Sequence, residues 1–130
     1  FDVRSDIYSV GCVLFEMLTG RAPFEAESPI EVLVRKMNEE PPSVRVYNRE
    51  VPERLAAIVA KSLARDKEER FSSARDFREA IESFQQEEKR RRKLLSMARK
   101  VAETVAFAGS VGAIGYALYW SIYYIMVEGL

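Results

Sequence analysis

The sequence contains no histidine and only one cysteine, Cys12, among 130 residues. Histidine is the commonest general base and metal ligand near neutral pH, so its absence removes the usual starting point for an acid–base or metal site. A single cysteine cannot form an intrachain disulfide, and nothing therefore indicates an oxidising compartment. Because the neighbours of Cys12 are apolar, we predict a buried thiol rather than a reactive one.

Charge is absent from residues 104–127, a run of 24 consecutive residues that is long enough to cross a bilayer as one helix. The chain as a whole is neutral, with 20 basic and 20 acidic side chains. The distribution is uneven, because residues 89–100 hold seven basic side chains and no acidic one. A basic cluster therefore directly precedes the apolar run.

The alternation of apolar and polar residues that is typical of β-strands is also absent, so we predict an all-α chain. Ser5 or Asp6 can cap the first helix, and Gly20 suits the left-handed position just past its end. Ser28, Pro29 and Glu31 form a capping box at the start of the second helix. We predict helices over about residues 6–19, 28–38 and 52–63, a loop over 41–51, and a fourth helix from Ser72 or Ser73 to about residue 84.

The first predicted helix is apolar on almost every side between Ile7 and Leu18. Such a helix must be surrounded by protein, and Gly11 at its middle indicates that another backbone packs closely there. The other helices offer one apolar face each, which is too little to cover it. Since the chain begins at Phe1 without methionine, we expect a piece of a longer protein whose upstream residues complete the cover.

Three stretches of this region resemble a known family: DIYSVG at residues 6–11, LTGRAPF at 18–24 and KEERF at 67–71. In this order and spacing they resemble the last third of a protein kinase domain, most closely the bacterial serine/threonine kinases of eukaryotic (Hanks) type. The resemblance covers about residues 1–84. Together with the hydropathy, it predicts an all-α fragment: C-terminal helices of a kinase C-lobe (1–84), a basic juxtamembrane segment with a helix (85–103) and one transmembrane helix (104–127).

The resemblance implies roles for individual residues. Asp6 matches the aspartate that accepts hydrogen bonds from the catalytic-loop backbone, although it can also act as a simple helix cap. Arg70 matches the arginine that pairs with the glutamate ending the activation segment, the alternative being a solvated charge. Glu16 matches a position that contacts a substrate arginine in some kinases, or is a tolerated polar residue at the edge of the core. Residues 30–37 match a helix that often forms docking surfaces, and packing alone explains their composition equally well.

The parts of a kinase that perform phosphoryl transfer do not occur in this sequence. They are a glycine-rich loop over the phosphates, a strand lysine, a catalytic aspartate and a metal-binding aspartate. We therefore expect no catalytic residue, no ATP site and no metal site in these residues, and expect ATP and Mg²⁺ to bind to the parent protein. Two functions remain open: a fragment of a membrane-anchored serine/threonine kinase that phosphorylates protein substrates, or a noncatalytic kinase-like scaffold anchored in the membrane.

The basic cluster predicts the membrane topology and a lipid partner. An excess of lysine and arginine marks the cytoplasmic side of a span, so we expect residues 1–100 to be cytoplasmic and the C-terminus to lie outside a single-pass cell-membrane protein. Anionic lipid is preferred over nucleic acid as the partner of the cluster, because the cluster adjoins the apolar run. Its members are Lys89, Arg90, Arg91, Arg92 and Lys93. Gly109, Ala113, Ala117 and Ser121 recur every four residues and suit a dimer of two spans, or are ordinary small residues.

Overall fold

The computed structural model of the chain describes the backbone of residues 2–128 and the side chains of these residues other than 108, 110, 111, 113–115 and 128. The described residues form helices and no strands, as the sequence predicts. The helices are α1 (Val3–Thr19), α2 (Pro29–Asn38), α3 (Val44–Tyr47), α4 (Glu53–Ser62), α5 (Ala74–Val111) and α6 (Ala113–Glu128), with a single 3₁₀ turn at Lys67–Glu69. The chain divides into two compact units, Phe1–Gln85 and Gln86–Leu130.

Helix α1 begins earlier than predicted. Its cap is Asp2, whose carboxylate accepts a hydrogen bond from the Arg4 amide at 3.0 Å, so neither Ser5 nor Asp6 is the cap. Asp6 instead lies within the first turn, where its negative charge interacts favourably with the positive end of the helix dipole and stabilises the helix. The predicted end is confirmed, because Gly20 has a φ of 76° and its amide donates to the Glu16 carbonyl.

Helix α2 starts at the predicted cap, whereas α3 was not predicted. Ser28 accepts a hydrogen bond from the Glu31 amide at 3.2 Å, and Pro29 is the first residue of α2. Within the predicted loop over residues 41–51, however, residues 44–47 form the short helix α3. Ser43 caps this helix, and Val44 is almost completely buried, so burial of one side chain stabilises a turn too short to show helical periodicity.

The core of the first unit consists of two adjoining clusters built on α1 and α4. One cluster contains Tyr8, Phe15, Val44, Val51, Ala56, Val59 and Leu63. The other contains Ile7, Ile58, Phe71 and Phe77, and the predicted apolar face of the fourth helix, including Ile81 and Phe84, packs against it. Helix α1 is thus central to the core, as its composition predicts.

Helix α5 is longer than any predicted helix, because it joins the fourth helix, the juxtamembrane segment and the first residues of the apolar run. It is 38 residues long and ends at Val111. Gly112 follows with a φ of 73°, a conformation that favours glycine, and α6 then starts at Ala113. The prediction of one continuous helix over residues 104–127 is therefore wrong. Across residues 2–128, no helix is both long and apolar enough to cross a bilayer.

Candidate functional site

Arg70 occupies the connection between the 3₁₀ turn and α5, where its side chain joins three stretches of backbone. Its Nε donates to the Ala64 carbonyl at 2.7 Å, Nη1 to the Arg4 carbonyl at 3.2 Å and Nη2 to the Arg65 carbonyl at 3.4 Å. These bonds link the first turn of α1 to the chain that follows α4. The guanidinium is consequently held in one orientation, and each terminal nitrogen keeps a second N–H group that none of these bonds uses.

The ring of Tyr8 lies beside this guanidinium. The Cζ atom of Arg70 is 4.7 Å from the ring centroid, and Nζ of Lys36 in α2 is 3.9 Å from the same centroid. Tyr8 itself is 7% exposed. Both cations are within the distance at which the negative face of an aromatic ring attracts a positive charge. Residues far apart in sequence thus place two positive charges around one buried ring.

Burial holds the phenol of Tyr8 and the thiol of Cys12 in their neutral forms. Burial raises the pKa of the Tyr8 phenol above its ordinary value, and the neighbouring Cys12 raises it further. Burial also raises the pKa of the Cys12 thiol, an effect that the charge of Lys36 partly offsets. Cys12 is half-buried rather than fully buried. Its raised pKa disfavours the thiolate, which is the reactive form, and supports the prediction of a thiol with a packing role.

A cavity of about 320 Å³ adjoins Tyr8, Lys36 and Arg70. Leu33 and Met37 of α2 and Phe24 and Leu63 of the core provide its apolar lining. Its further charged neighbours, Glu39 and Arg65, each have another partner: Glu39 pairs with Arg35 at 3.3 Å, and Arg65 with Glu40 at 3.8 Å.

A second surface of interest is the side of α1 opposite the core. Val3, Val10, Val13 and Met17 are exposed there, and helical spacing places Asp6 among them. Asp6 is also exposed. Helix α1 therefore has one covered apolar face and one uncovered apolar face with a single carboxylate in it.

The chain is similar to bacterial serine/threonine-protein kinases. It is 43% identical over 82 residues to a probable serine/threonine-protein kinase of Streptomyces coelicolor, a match over 63% of this chain and 12% of that protein. It is 39% identical over 80 residues to PrkC of Bacillus subtilis, with 62% and 12% covered, and 40% identical over 77 residues to PknB of Mycobacterium tuberculosis, with 59% and 12% covered. No protein-family model matches the chain.

The chain thus spans about an eighth of the length of these relatives. An identity near 40% over roughly 80 residues is nevertheless far above chance, and it supports the interpretation of this region as the C-terminal part of a kinase domain.

The structure places the predicted site residues in three separate positions. Arg70 lies at the cavity, Asp6 on the uncovered face of α1, and the exposed Glu16 near the end of α1. Sequence reasoning did not identify Tyr8 and Lys36 as neighbours of Arg70. Tyr8 is part of the DIYSVG stretch and could have been singled out, whereas no local pattern marks Lys36. Among the described residues, no group of three or more acidic or cysteine side chains is placed to hold a metal ion.

Proposed function

We propose that this chain is the C-terminal helical part of a serine/threonine protein kinase that transfers the γ-phosphate of ATP to serine or threonine in protein substrates. The observation that carries the proposal is the similarity near 40% to three bacterial kinases over about 60% of the chain. In this proposal the chain supplies a rigid helical support, while ATP and Mg²⁺ bind to residues of the parent protein outside it.

The uncovered face of α1 is the part of this helical support that we assign to contact with the rest of the kinase domain. Val10, Val13 and Met17 expose apolar surface that a soluble domain normally covers, and Asp6 lies beside them with a carboxylate open to hydrogen bonding. We assign this face to the catalytic loop, with Asp6 accepting hydrogen bonds from the loop backbone. A charged acceptor makes such bonds stronger than neutral ones and would fix the position of the loop.

Arg70 is assigned to the glutamate at the end of the activation segment. Its fixed guanidinium retains one unused N–H group on each terminal nitrogen, and a carboxylate can accept from both. Glu16 is assigned a weaker role as a contact for a basic substrate residue, since its side chain is exposed.

The second unit is assigned to the membrane. Lys89 to Lys93 provide a basic cluster for anionic lipid, and the uncharged residues 104–127 provide the apolar segment of a single-pass anchor, with residues 1–100 cytoplasmic. A dimer through Gly109, Ala117 and Ser121 remains part of this proposal. The fourth position of that stripe, Ala113, has a side chain outside those that the structure describes.

The activity is tested by expressing the chain joined to the residues encoded upstream of Phe1 and measuring phosphate transfer from ATP to a protein substrate. We expect activity in the joined protein and none in the 130-residue chain. Replacement Asp6→Asn should lower kcat about tenfold or more, because the loop loses a charged hydrogen-bond acceptor. The matched variant Glu27→Gln removes an exposed carboxylate elsewhere and should keep full activity.

Two outcomes would contradict the proposal. If the joined protein transfers no phosphate and lacks the lysine and the two aspartates of a kinase, the noncatalytic scaffold becomes the better interpretation. If millimolar ATP raises the Tm of the 130-residue chain, this chain itself binds nucleotide, contrary to the expected location of the ATP site.

A further inference from the structure

Helix α5 carries an exposed apolar stripe shortly after the basic cluster. Apolar side chains that recur every three or four residues lie on one side of a helix. The stripe consists of Leu94, Leu95, Met97, Ala98, Val101 and Ala102, and all but the partly buried Val101 are exposed. This apolar surface is therefore available to a partner outside the chain.

The opposite side of the same stretch is polar and positively charged. Helical spacing places Lys89, Arg92, Ser96 and Arg99 there, in line along the helix. Arg99 pairs with Glu103 at 2.8 Å on that side. Over residues 88–103, seven basic side chains are accompanied by only two acidic ones. The stretch is thus an amphipathic helix with a strongly positive polar side.

The edges of the stripe are also basic. Lys93 lies one helical turn before Met97 at one edge, and Arg99 lies one turn after Leu95 at the other. The long aliphatic stems of lysine and arginine can follow an apolar surface while their charged ends reach outward. A partner that covers the stripe would therefore meet positive charge on both sides.

Charge decides between two partners that could cover the stripe. If a second copy of the chain packed against it, the two copies would bring together two sets of seven basic side chains, and their repulsion would oppose pairing. The surface of an anionic bilayer instead offers negative phosphates beside apolar acyl chains. Such a surface is complementary both to the stripe and to its basic edges.

We propose that residues 89–102 of α5 lie along the surface of an anionic bilayer, with the Leu94 side of the helix among the acyl chains and the basic side chains at the level of the phosphates. The helix in this stretch runs parallel to the bilayer rather than through it. The proposal rests on the assignment of the second unit to the membrane, and it specifies which side of α5 meets the lipid.

The test measures the depth of single tryptophans in the 130-residue chain, reconstituted into vesicles of phosphatidylcholine and phosphatidylserine. Trp120→Phe removes the only tryptophan, and Leu94→Trp, Ser96→Trp and Ala98→Trp each introduce a new one. Lipids with brominated acyl chains quench the fluorescence of a tryptophan that lies among those chains. The fluorescence of the Leu94→Trp and Ala98→Trp variants should be quenched at least about twofold more strongly than that of Ser96→Trp.

Ser96→Trp is the matched control, since position 96 lies midway between the other two positions and its replacement changes no charge. Positions 94 and 98 are about 6 Å apart along the helix axis. In a helix that crosses the bilayer, depth changes steadily along the chain, so quenching at position 96 would lie between the values at 94 and 98. In a helix that lies along the surface, quenching is weakest at position 96.

The charge of the lipid provides a second comparison. In vesicles of phosphatidylcholine alone, the difference in quenching between positions 94 and 96 should fall by about half or more, because the basic side chains have no anionic partner. Added salt should act in the same direction in vesicles that contain phosphatidylserine.

Intermediate quenching at position 96, or equal quenching at all three positions, would overturn the proposal. An equal difference in vesicles with and without phosphatidylserine would overturn it as well, since the basic side chains would then have no role. Absence of quenching together with energy transfer between differently labelled copies would show that a second copy covers the stripe.

The membrane assignment and the kinase activity are tested apart from this proposal. A chain that does not float with the vesicles would contradict the membrane assignment itself. Phosphate transfer by the joined protein enters none of these measurements, so the quenching result leaves the kinase proposal unchanged.

Discussion

Gly11 lies where α1 packs tightly against the end of α4. A Cβ atom added to it would overlap Oγ of Ser62 and lie 3.0 Å from Cβ of Ser62 and 3.1 Å from Cδ2 of Leu63. Ser62 and Leu63 are themselves almost fully buried, and Oγ of Ser62 donates to the Val59 carbonyl at 2.6 Å. The neighbours therefore have little freedom to move away from a larger side chain.

The replacement Gly11→Ala should accordingly lower the free energy of unfolding by about 1–3 kcal/mol, although alanine is the better helix former. The measurement is urea unfolding followed by circular dichroism. Adding Ser62→Ala should recover part of the loss, because it removes the overlapping oxygen. The control Gly109→Ala adds a methyl group that meets none of the described atoms beyond its chain neighbours and its own helix backbone within 4 Å, and it should leave this transition unchanged. A Gly11→Ala variant as stable as the original chain would show that α1 and α4 are further apart than described.

Tyr8 and Cys12 make the stability of the chain sensitive to alkaline pH. Burial raises the pKa of both groups in the folded chain, so the unfolded chain loses their protons first as the pH rises. Their contribution is complete at neutral pH and declines above about pH 8.5 for the thiol and about pH 10 for the phenol.

Unfolding by urea at a series of pH values should therefore show a free energy of unfolding that falls above about pH 8.5. Tyr8→Phe should make the fall less steep above about pH 10, because this variant has no phenol to ionise. The exposed Tyr47 provides the matched variant Tyr47→Phe, which should keep the original steepness. A stability that rises over this range would contradict the direction of both shifts.

The candidate site could be predicted only in part from individual residues. Arg70 was identified because KEERF resembles a family motif, and Asp6 because DIYSVG does. The contact of Lys36 with Tyr8 depends on how α2 packs against α1, and no short stretch of sequence encodes that. Similarly, composition predicted a buried Cys12, whereas the chain covers only one side of α1 and leaves the thiol half-buried.

Helix α1 has two apolar faces, one buried in the core and one exposed. Phe15 is fully buried, whereas Val13 and Met17 are 56% and 76% exposed. Their apolar character contributes almost nothing to the stability of this chain, because the same side chains are exposed in the unfolded state as well.

We expect Val13→Gln to change the free energy of unfolding of this chain by no more than about 0.5 kcal/mol, whereas Phe15→Ala should lower it by about 3–5 kcal/mol. Both values come from urea unfolding under the same conditions. If the catalytic loop covers this face, Val13→Gln should also destabilise the joined kinase by roughly 1 kcal/mol or more. A large loss in the 130-residue chain would mean that the face is already covered.

Elements with strong terminal signals were predicted well. Ser28 and Pro29 fixed the start of α2, and Gly20 fixed the end of α1. The short α3 could not be predicted, since its formation depends on burial of Val44 in a core that only the folded chain provides. The break at Gly112 was missed for a different reason: uniform hydropathy over residues 104–127 says nothing about where a glycine adopts a positive φ.

Charged and apolar residues are distributed unevenly along the molecule. Residues 1–88 are acidic on balance, and residues 89–100 are basic without exception among their charged side chains. Such an arrangement favours contact of the basic part with a negatively charged bilayer, while the acidic part is repelled.

Binding to lipid vesicles tests this arrangement. The double variant Arg90→Gln/Arg92→Gln should weaken binding to vesicles that contain phosphatidylserine by about tenfold or more, because each charge near the surface contributes about 1 kcal/mol. The control Arg75→Gln/Arg78→Gln removes the same charge from the same helix and should have little effect, since these arginines lie outside the basic cluster of residues 89–93. Added salt should reduce the difference between the two variants. Equal losses in both would indicate a response to total charge only.

The bonds of Arg70 also indicate the order in which contacts form during folding. Its bond to the Arg4 carbonyl joins residues 66 positions apart, whereas Ser28 caps α2 and Ser73 caps α5 through partners three residues away. Closing so long a loop costs entropy that only the nearly complete core can offset. The local caps can therefore form early, and we expect the bond between Arg70 and the Arg4 carbonyl to form after the transition state. Loss of the Arg70 side chain should accordingly raise the rate of unfolding far more than it lowers the rate of folding.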